Sequence, residues 1–208
     1  MIEKYKIGIL AYGSLIDDPG IEIKPLIIDR IKCITPFKVE YARKSRKRGF
    51  GPTLVPYTKA GCKVNASILI LNNVKSLEEV TSMLYRREIG ATDISKTYTH
   101  TNNPKENTTQ IMLEKDFMGV ENVLYTKIAS NIKIDFNSDD LADLAIKSIL
   151  MDAGKEKRDG IRYLAQNIEN NIITEYTEEY RLAILSKTGC SSLEESIILL
   201  DKKRNERT

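Results

Sequence analysis

Apolar residues first cluster at positions 5–11, Tyr5-Lys6-Ile7-Gly8-Ile9-Leu10-Ala11, with little alternation. Such a run predicts a strand covered on both faces. It is too short to span a membrane, and it leads into Gly13-Ser14-Leu15-Ile16-Asp17-Asp18 without the small-residue cleavage pattern of an export signal. The expectation is a cytoplasmic protein with no membrane partner. The stretch 31–42 is strand-like and interrupted by Pro36, which predicts a bent or edge strand. Positions 53–57 and 62–71 read as two strands joined by a turn at Ala60-Gly61. Ser76-Leu77-Glu78-Glu79 has the capping-box pattern that opens a helix, and Leu77, Val80, Leu84 and Glu88 then recur at helical spacing on one face. Two more strands are expected at 108–114 and 121–129.

Beyond about residue 138 the period changes to four helical patterns: one from Ser138, one around 158–170, one at 177–189 and one from Ser191. Gly189 stands where a helix C-terminus takes a left-handed glycine. The pattern therefore predicts an α+β protein, with a β-rich core over 1–135 embracing one helix and a helical extension over 136–208 packed on it. No repeat, low-complexity segment or long linker interrupts it.

Composition narrows the chemistry. A chain of 208 residues, 41% hydrophobic and 29% charged, buries an ordinary core. Its formal net charge of +3 argues against a dedicated nucleic-acid coat. Cys33, Cys62 and Cys190 are odd in number with no C-x-x-C pair, so neither a disulfide scaffold nor a cysteine zinc site is expected. His100 is the one histidine and sits in a polar stretch that reads as surface. With no metal or other cofactor expected, chemistry falls to carboxylates, hydroxyls and backbone amides.

Two features have that character. Tyr12-Gly13-Ser14-Leu15 follows the first strand and precedes the turn signal Asp17-Asp18-Pro19-Gly20. A Gly-Ser step there lets backbone N–H groups converge on an anion such as a carboxylate, although the same step is often no more than a turn. Glu88 lies at the end of the capped helix, where the helix's negative end and partial burial would favour a proton on the carboxylate and suit it to proton transfer. Arg86 and Arg87 could counter this by pairing with it, and a structural Arg–Glu pair is the ordinary reading of the spacing alone.

Together, Tyr12-Gly13-Ser14-Leu15 after the first strand and Arg87-Glu88-Ile89-Gly90 about 75 residues later resemble the γ-glutamylcyclotransferase-like family. Gly51-Pro52-Thr53-Leu54, the apolar strand at 66–71 and Val123-Leu124-Tyr125 fit the same resemblance, which covers roughly residues 5–130. It implies a mixed β-barrel enclosing a helix, a small-molecule γ-glutamyl substrate and no cofactor. The backbone around Gly13, Ser14 and Leu15, next to Tyr12, would hold the glutamyl α-carboxylate. Glu88 would be the general acid/base, and Tyr125 would line the pocket, though a core tyrosine reads equally well there. The implied reaction cyclises a γ-glutamyl amide to 5-oxoproline and frees the amine. The sequence after Glu88, Gly90-Ala91-Thr92-Asp93, departs from the family's usual second glycine and aromatic, which keeps a non-catalytic small-acid-binding protein as the alternative.

Five of the six residues from 43 to 48 are cationic. The run reads first as a solvated loop, then as a border attracting an acidic substrate, and last as a nucleic-acid contact, for which no aromatic stacking pattern is present. The C-terminal helices are expected to cap the core, cover the pocket or form a dimer.

Overall fold

The structure is a computed structural model that describes residues 5–132 and 137–206. It is α+β. Seven strands are formed among the described residues: β1 (Tyr5–Ala11), β2 (Ile27–Ile34), β3 (Val39–Ser45), β4 (Gly51–Pro56), β5 (Asn65–Leu71), β6 (Gln110–Phe117) and β7 (Val120–Lys127). The helices are α1 (Leu77–Ile89), α2 (Ser138–Ile149), α3 (Asp152–Lys155), α4 (Gly160–Glu169), α5 (Thr177–Thr188) and α6 (Leu193–Asn205). No helix among the described residues is long and apolar enough to cross a membrane.

Two compact units are present. The first comprises the residues up to Thr35 together with Asn65–Ala129. Its sheet has the order β2-β5-β1-β7-β6. β1 lies antiparallel to β5 and parallel to β7, with Ile9 opposite Leu69 on one side and Leu124 on the other. β6 and β7 form a hairpin whose turn residues Met118 and Gly119 both have positive φ, the geometry that matches strand twist. α1 lies on one face of this sheet, where Ile9, Leu69, Leu124, Val80 and Leu84 are 0–3% exposed. Each such side chain contributes about 1.5–3 kcal/mol on burial. On the other face Leu10, Ile68, Ile70 and Val123 are buried as well, which accounts for the unalternating apolar run in β1.

The second unit comprises Pro36–Val64 together with the residues from Ser130 onward. β3 and β4 pair antiparallel, and Cys62 bridges to Val39 beside them. Gly51 and Gly160 meet so closely that a Cβ on Gly51 would stand 2.8 Å from the Gly160 Cα, which brings α4 against the start of β4. Tyr41 and Tyr180 are fully buried and cross edge to face at 5.3 Å.

Three expectations are corrected. The strand at 31–42 is two strands in different sheets, because Pro36 supplies no N–H and the first of them stops at Ile34. The strands around 53–57 and 62–71 are not partners: β4 bonds β3, while β5 is held between β2 and β1. No closed barrel forms, since the large sheet ends at β2 and β6 and the β3–β4 pair is a separate sheet among the described residues. α1 therefore covers an open mixed sheet.

Candidate functional site

The site grows from the ends of two elements of the first unit, β1 and α1, joined by Arg87. α1 starts on a full capping box: the Ser76 hydroxyl accepts from the Glu79 N–H at 3.2 Å, and the Glu79 carboxylate accepts from the Ser76 N–H at 2.8 Å. It stops at Gly90, which is left-handed; Ala91 N–H donates to the Arg86 carbonyl at 2.9 Å and Gly90 N–H to the Arg87 carbonyl at 3.2 Å, a complete Schellman closure. Gly90 of the Arg-Glu-x-Gly pattern thus has a local structural task.

Past β1, Tyr12 is still extended and its hydroxyl donates to the Thr126 carbonyl at 2.9 Å. Gly13 then takes φ 76°, a conformation that disfavours any Cβ, and Gly13–Leu15 form a single 3₁₀ turn. Ile16 N–H donates to the Gly13 carbonyl at 3.2 Å and Asp18 N–H to the Ser14 carbonyl at 2.9 Å. The Leu15 side chain anchors the turn in the core at 4% exposure.

Arginines in the last turn of α1 join the two. Arg86, nearly buried, donates through Nε and Nη2 to both oxygens of Glu22 at 2.9 and 2.6 Å, and through Nη1 to the Lys96 carbonyl at 2.8 Å. That guanidinium holds the Glu22 carboxyl below its ordinary range. Arg87 donates through Nη1 to Glu88 Oε1 at 2.6 Å and through Nη2 to the Ser14 hydroxyl at 3.3 Å. Its Nε and Nη2 also share the Asp18 carbonyl at 3.0 and 2.5 Å. The Arg87 stem passes over Gly20, whose φ is 85° and where a Cβ would sit 2.8 Å from Arg87 Cγ.

Glu88, with a side chain 22% exposed, is therefore ion-paired with Arg87, the countering arrangement that the sequence had left open. The structure brings Glu88 and the Gly13–Leu15 turn together through this one guanidinium. It does not bring Tyr125 to them. Leu124 faces the α1 core, so its neighbour Tyr125, half-buried opposite Met112, faces the other side of the sheet. Burial there, with the Glu114 carboxylate nearby, pushes the Tyr125 phenol up.

Glu22 is the site residue that the sequence did not mark, while Arg87 was marked only as a partner for Glu88 and Gly20 only as part of a turn signal. Cations in a helix's last turn are a readable signal, but which acceptor each one takes depends on the loop at 13–22, and no local pattern states that.

A groove of about 330 Å³ lies elsewhere, lined by Lys6, Ile7, residues 73–77, Glu121 and Asn122. These residues belong to the beginnings of β1, α1 and β7 and to the segment before α1, whereas Ser14 and Glu88 lie at the far ends of β1 and α1. The groove includes none of the candidate residues.

In the second unit the basic run is mostly structured. Arg43, Lys44 and Ser45 end β3, and Arg46–Arg48 form a 3₁₀ turn closed by left-handed Gly49. Arg48 stacks 4.1 Å above the Tyr163 ring and donates to the Arg158 carbonyl at 3.3 Å. Among the described residues no group of three or more His, Cys, Asp or Glu side chains is placed to hold a metal ion. No protein-family model matches the chain, and no curated protein matches it.

Proposed function

We propose that this protein is a γ-glutamylcyclotransferase-like enzyme that cyclises a γ-glutamyl amide or γ-glutamyl amine to 5-oxoproline and releases the free amine. The observation that carries the reading is the Arg87 guanidinium spanning Ser14 and Glu88, because it makes the first-strand turn and the helix-end carboxylate parts of one site. The fold bears on the same proposal only in part: α1 on one face of a mixed sheet and a turn beyond β1 support it, whereas the closed barrel that the resemblance implied does not form among the described residues.

In the proposed reaction the backbone N–H groups of the Gly13–Leu15 turn take the substrate α-carboxylate. The Glu88 carboxylate accepts a proton from the α-ammonium. The freed amine attacks the γ-carbonyl carbon, forming the new C–N bond of the five-membered ring. As the tetrahedral centre collapses, the original amide C–N bond breaks, Glu88 returns its proton to the departing nitrogen, and the second proton of the attacking nitrogen passes to the freed amine, which leaves as an ammonium. Attack is intramolecular, so the site's main tasks are to fold the substrate toward the near-attack geometry and to manage these two proton transfers. The leaving amine is an amino acid, a peptide, a polyamine or a lysine side chain, and the assay ranks these.

The test is a panel of γ-glutamyl amides incubated with wild type and Glu88→Gln, with 5-oxoproline read by mass spectrometry. The wild type is expected to release lactam, and the variant to lose about 10²–10⁴ of the rate, the usual worth of a positioned acid/base. An undiminished rate in the variant would sink the assignment. The Arg87–Glu88 ion pair also favours a second reading, a small-acid-binding protein whose carboxylate stays engaged. Saturable binding of a glutamyl compound with no lactam from any amide would select that reading.

A further inference from the structure

We infer that Arg87 is the receptor for the substrate's free carboxylate, and that its guanidinium passes from Glu88 to that carboxylate when substrate binds. The inference rests on the γ-glutamyl reading of this site and adds to it both a substrate requirement and a way of arming the base.

The two edges of the guanidinium are used differently. The Nε/Nη2 edge is committed to the Asp18 carbonyl at 3.0 and 2.5 Å, which fixes the head group. The Nη1/Nη2 edge holds two unrelated single-point acceptors, Glu88 Oε1 at 2.6 Å and the Ser14 hydroxyl at a long 3.3 Å. Two parallel N–H donors on one edge match both oxygens of a single carboxylate, the strongest arrangement open to an arginine. The acceptors now present use that edge poorly. Arg87 and Glu88 are also consecutive on a helix, and consecutive side chains do not face each other, so the pair forms only by bending both toward the loop. A ligand carboxylate arriving over the Gly13–Leu15 turn meets the same edge without that constraint.

The head group is held for this exchange. The Arg87 side chain is 16% exposed, its stem lies over Gly20, and the Asp18 carbonyl holds it whether or not Glu88 stays. When a substrate carboxylate takes the Nη1/Nη2 edge, Glu88 leaves Arg87 while remaining at the end of α1, beside the place where the adjoining α-ammonium sits. The base is thus released by the group that identifies the substrate. Compounds bearing a free α-carboxylate are accepted, and α-amides and α-esters of the same skeleton are refused.

Calorimetric binding of 5-oxo-L-proline and of its carboxamide, to wild type, Arg87→Gln, Arg87→Lys and Glu88→Gln, tests this beside the lactam assay. The wild type is expected to prefer the acid. Arg87→Gln should lose about 30-fold or more of acid affinity, as when one partner of a largely desolvated charge pair is truncated, and Arg87→Lys should recover only part of it. Glu88→Gln removes the internal competitor and should bind the acid about fivefold more tightly or better, while losing about 10²–10⁴ of the lactam rate. Equal affinity of wild type for acid and carboxamide overturns the inference, as does a Glu88→Gln protein that binds the acid no more tightly. That second arm stands even if the Arg87 variants misfold. Wild type that binds the acid as expected yet releases no lactam from any amide removes the γ-glutamyl reading and leaves the carboxylate receptor standing.

Discussion

At Gly20 the backbone has φ 85°, and a Cβ would stand 2.8 Å from Cγ of Arg87. Gly119 has nearly the same backbone, φ 81°, but a Cβ there would meet nothing within 4 Å. The two positions therefore separate backbone strain from displacement of Arg87. Each substitution to alanine should destabilise the protein by about 1–2 kcal/mol through the left-handed conformation, read as a shift in the urea midpoint. Gly20→Ala should in addition weaken binding of 5-oxo-L-proline, whereas Gly119→Ala should leave it unchanged. Equal binding by the two variants would mean that the Arg87 stem does not depend on Gly20. At this scale the sequence marks residue types and not partners. Gly13, Ser14 and Glu88 stand out only in combination, because a glycine after a strand is often just a turn and an acid beside an arginine at a helix end is an ordinary ion pair. That Arg86 takes Glu22 while Arg87 takes Glu88 follows from a loop more than 60 residues away in sequence, as the 64-residue separation of Arg86 and Glu22 shows.

Elements were the most legible level, because caps and periodicity are local. The box at Ser76 and Glu79 forms with both of its bonds, and Val80 and Leu84 face the core as their spacing requires. Ser76→Ala should cost about 1 kcal/mol, because one N–H of the first turn loses its acceptor, and thermal unfolding reads the loss directly. The neighbouring Lys75–Glu79 pair is about half exposed at both ends and contributes little, so Lys75→Ala should leave the midpoint nearly unmoved. A Ser76→Ala protein as stable as the wild type would show that tertiary packing alone holds the start of α1. In the C-terminal region the expected helices form: α2 begins at Ser138 as read, capped by Asn137, whereas α6 starts later than Ser191, with Ser192 as its cap. The side chain of Ser191 instead donates to Glu195. Candidate caps one residue apart are chemically alike, and the choice between them is made by the approach of the preceding chain. The short α3 escaped the pattern because a single turn carries no period to read.

Strand partnership is where local reading stopped, since pairing joins residues far apart and alternation says which face is buried but not who lies alongside. Between β4 and β5 a glycine turn reads like a hairpin, yet the bonds go to β3 on one side and to β1 and β2 on the other. The association of the 36–64 segment with residues beyond 130 is of the same kind, and one of its links gives the molecule a pH dependence. The Glu40 side chain is fully buried in the second unit. Its Oε1 accepts from the Tyr41 N–H at 2.8 Å and from the Thr174 hydroxyl at 2.6 Å. Burial pushes this carboxyl up from 4.5, and the hydrogen bonds, which favour the charged form, offset that only in part. The folded protein thus holds this proton to higher pH than the unfolded chain does. Its contribution is present in full below the unfolded value and is lost as pH rises through the folded one. Glu22, Glu79, Glu178 and Glu195 are shifted the other way, so theirs is lost only as pH falls below 4.5. Urea unfolding should therefore show stability rising as the solution is acidified from neutral pH toward 4.5, before the decline at lower pH. In Glu40→Gln, which keeps an acceptor for Tyr41 and Thr174 but carries no charge, the slope across that window should flatten, with the larger gain in stability at the alkaline end. If wild-type stability is instead level or rises with pH there, and Glu40→Gln runs parallel to it, then Glu40 is ionised at no cost and the Thr174 and Tyr41 bonds suffice to hold a buried charge.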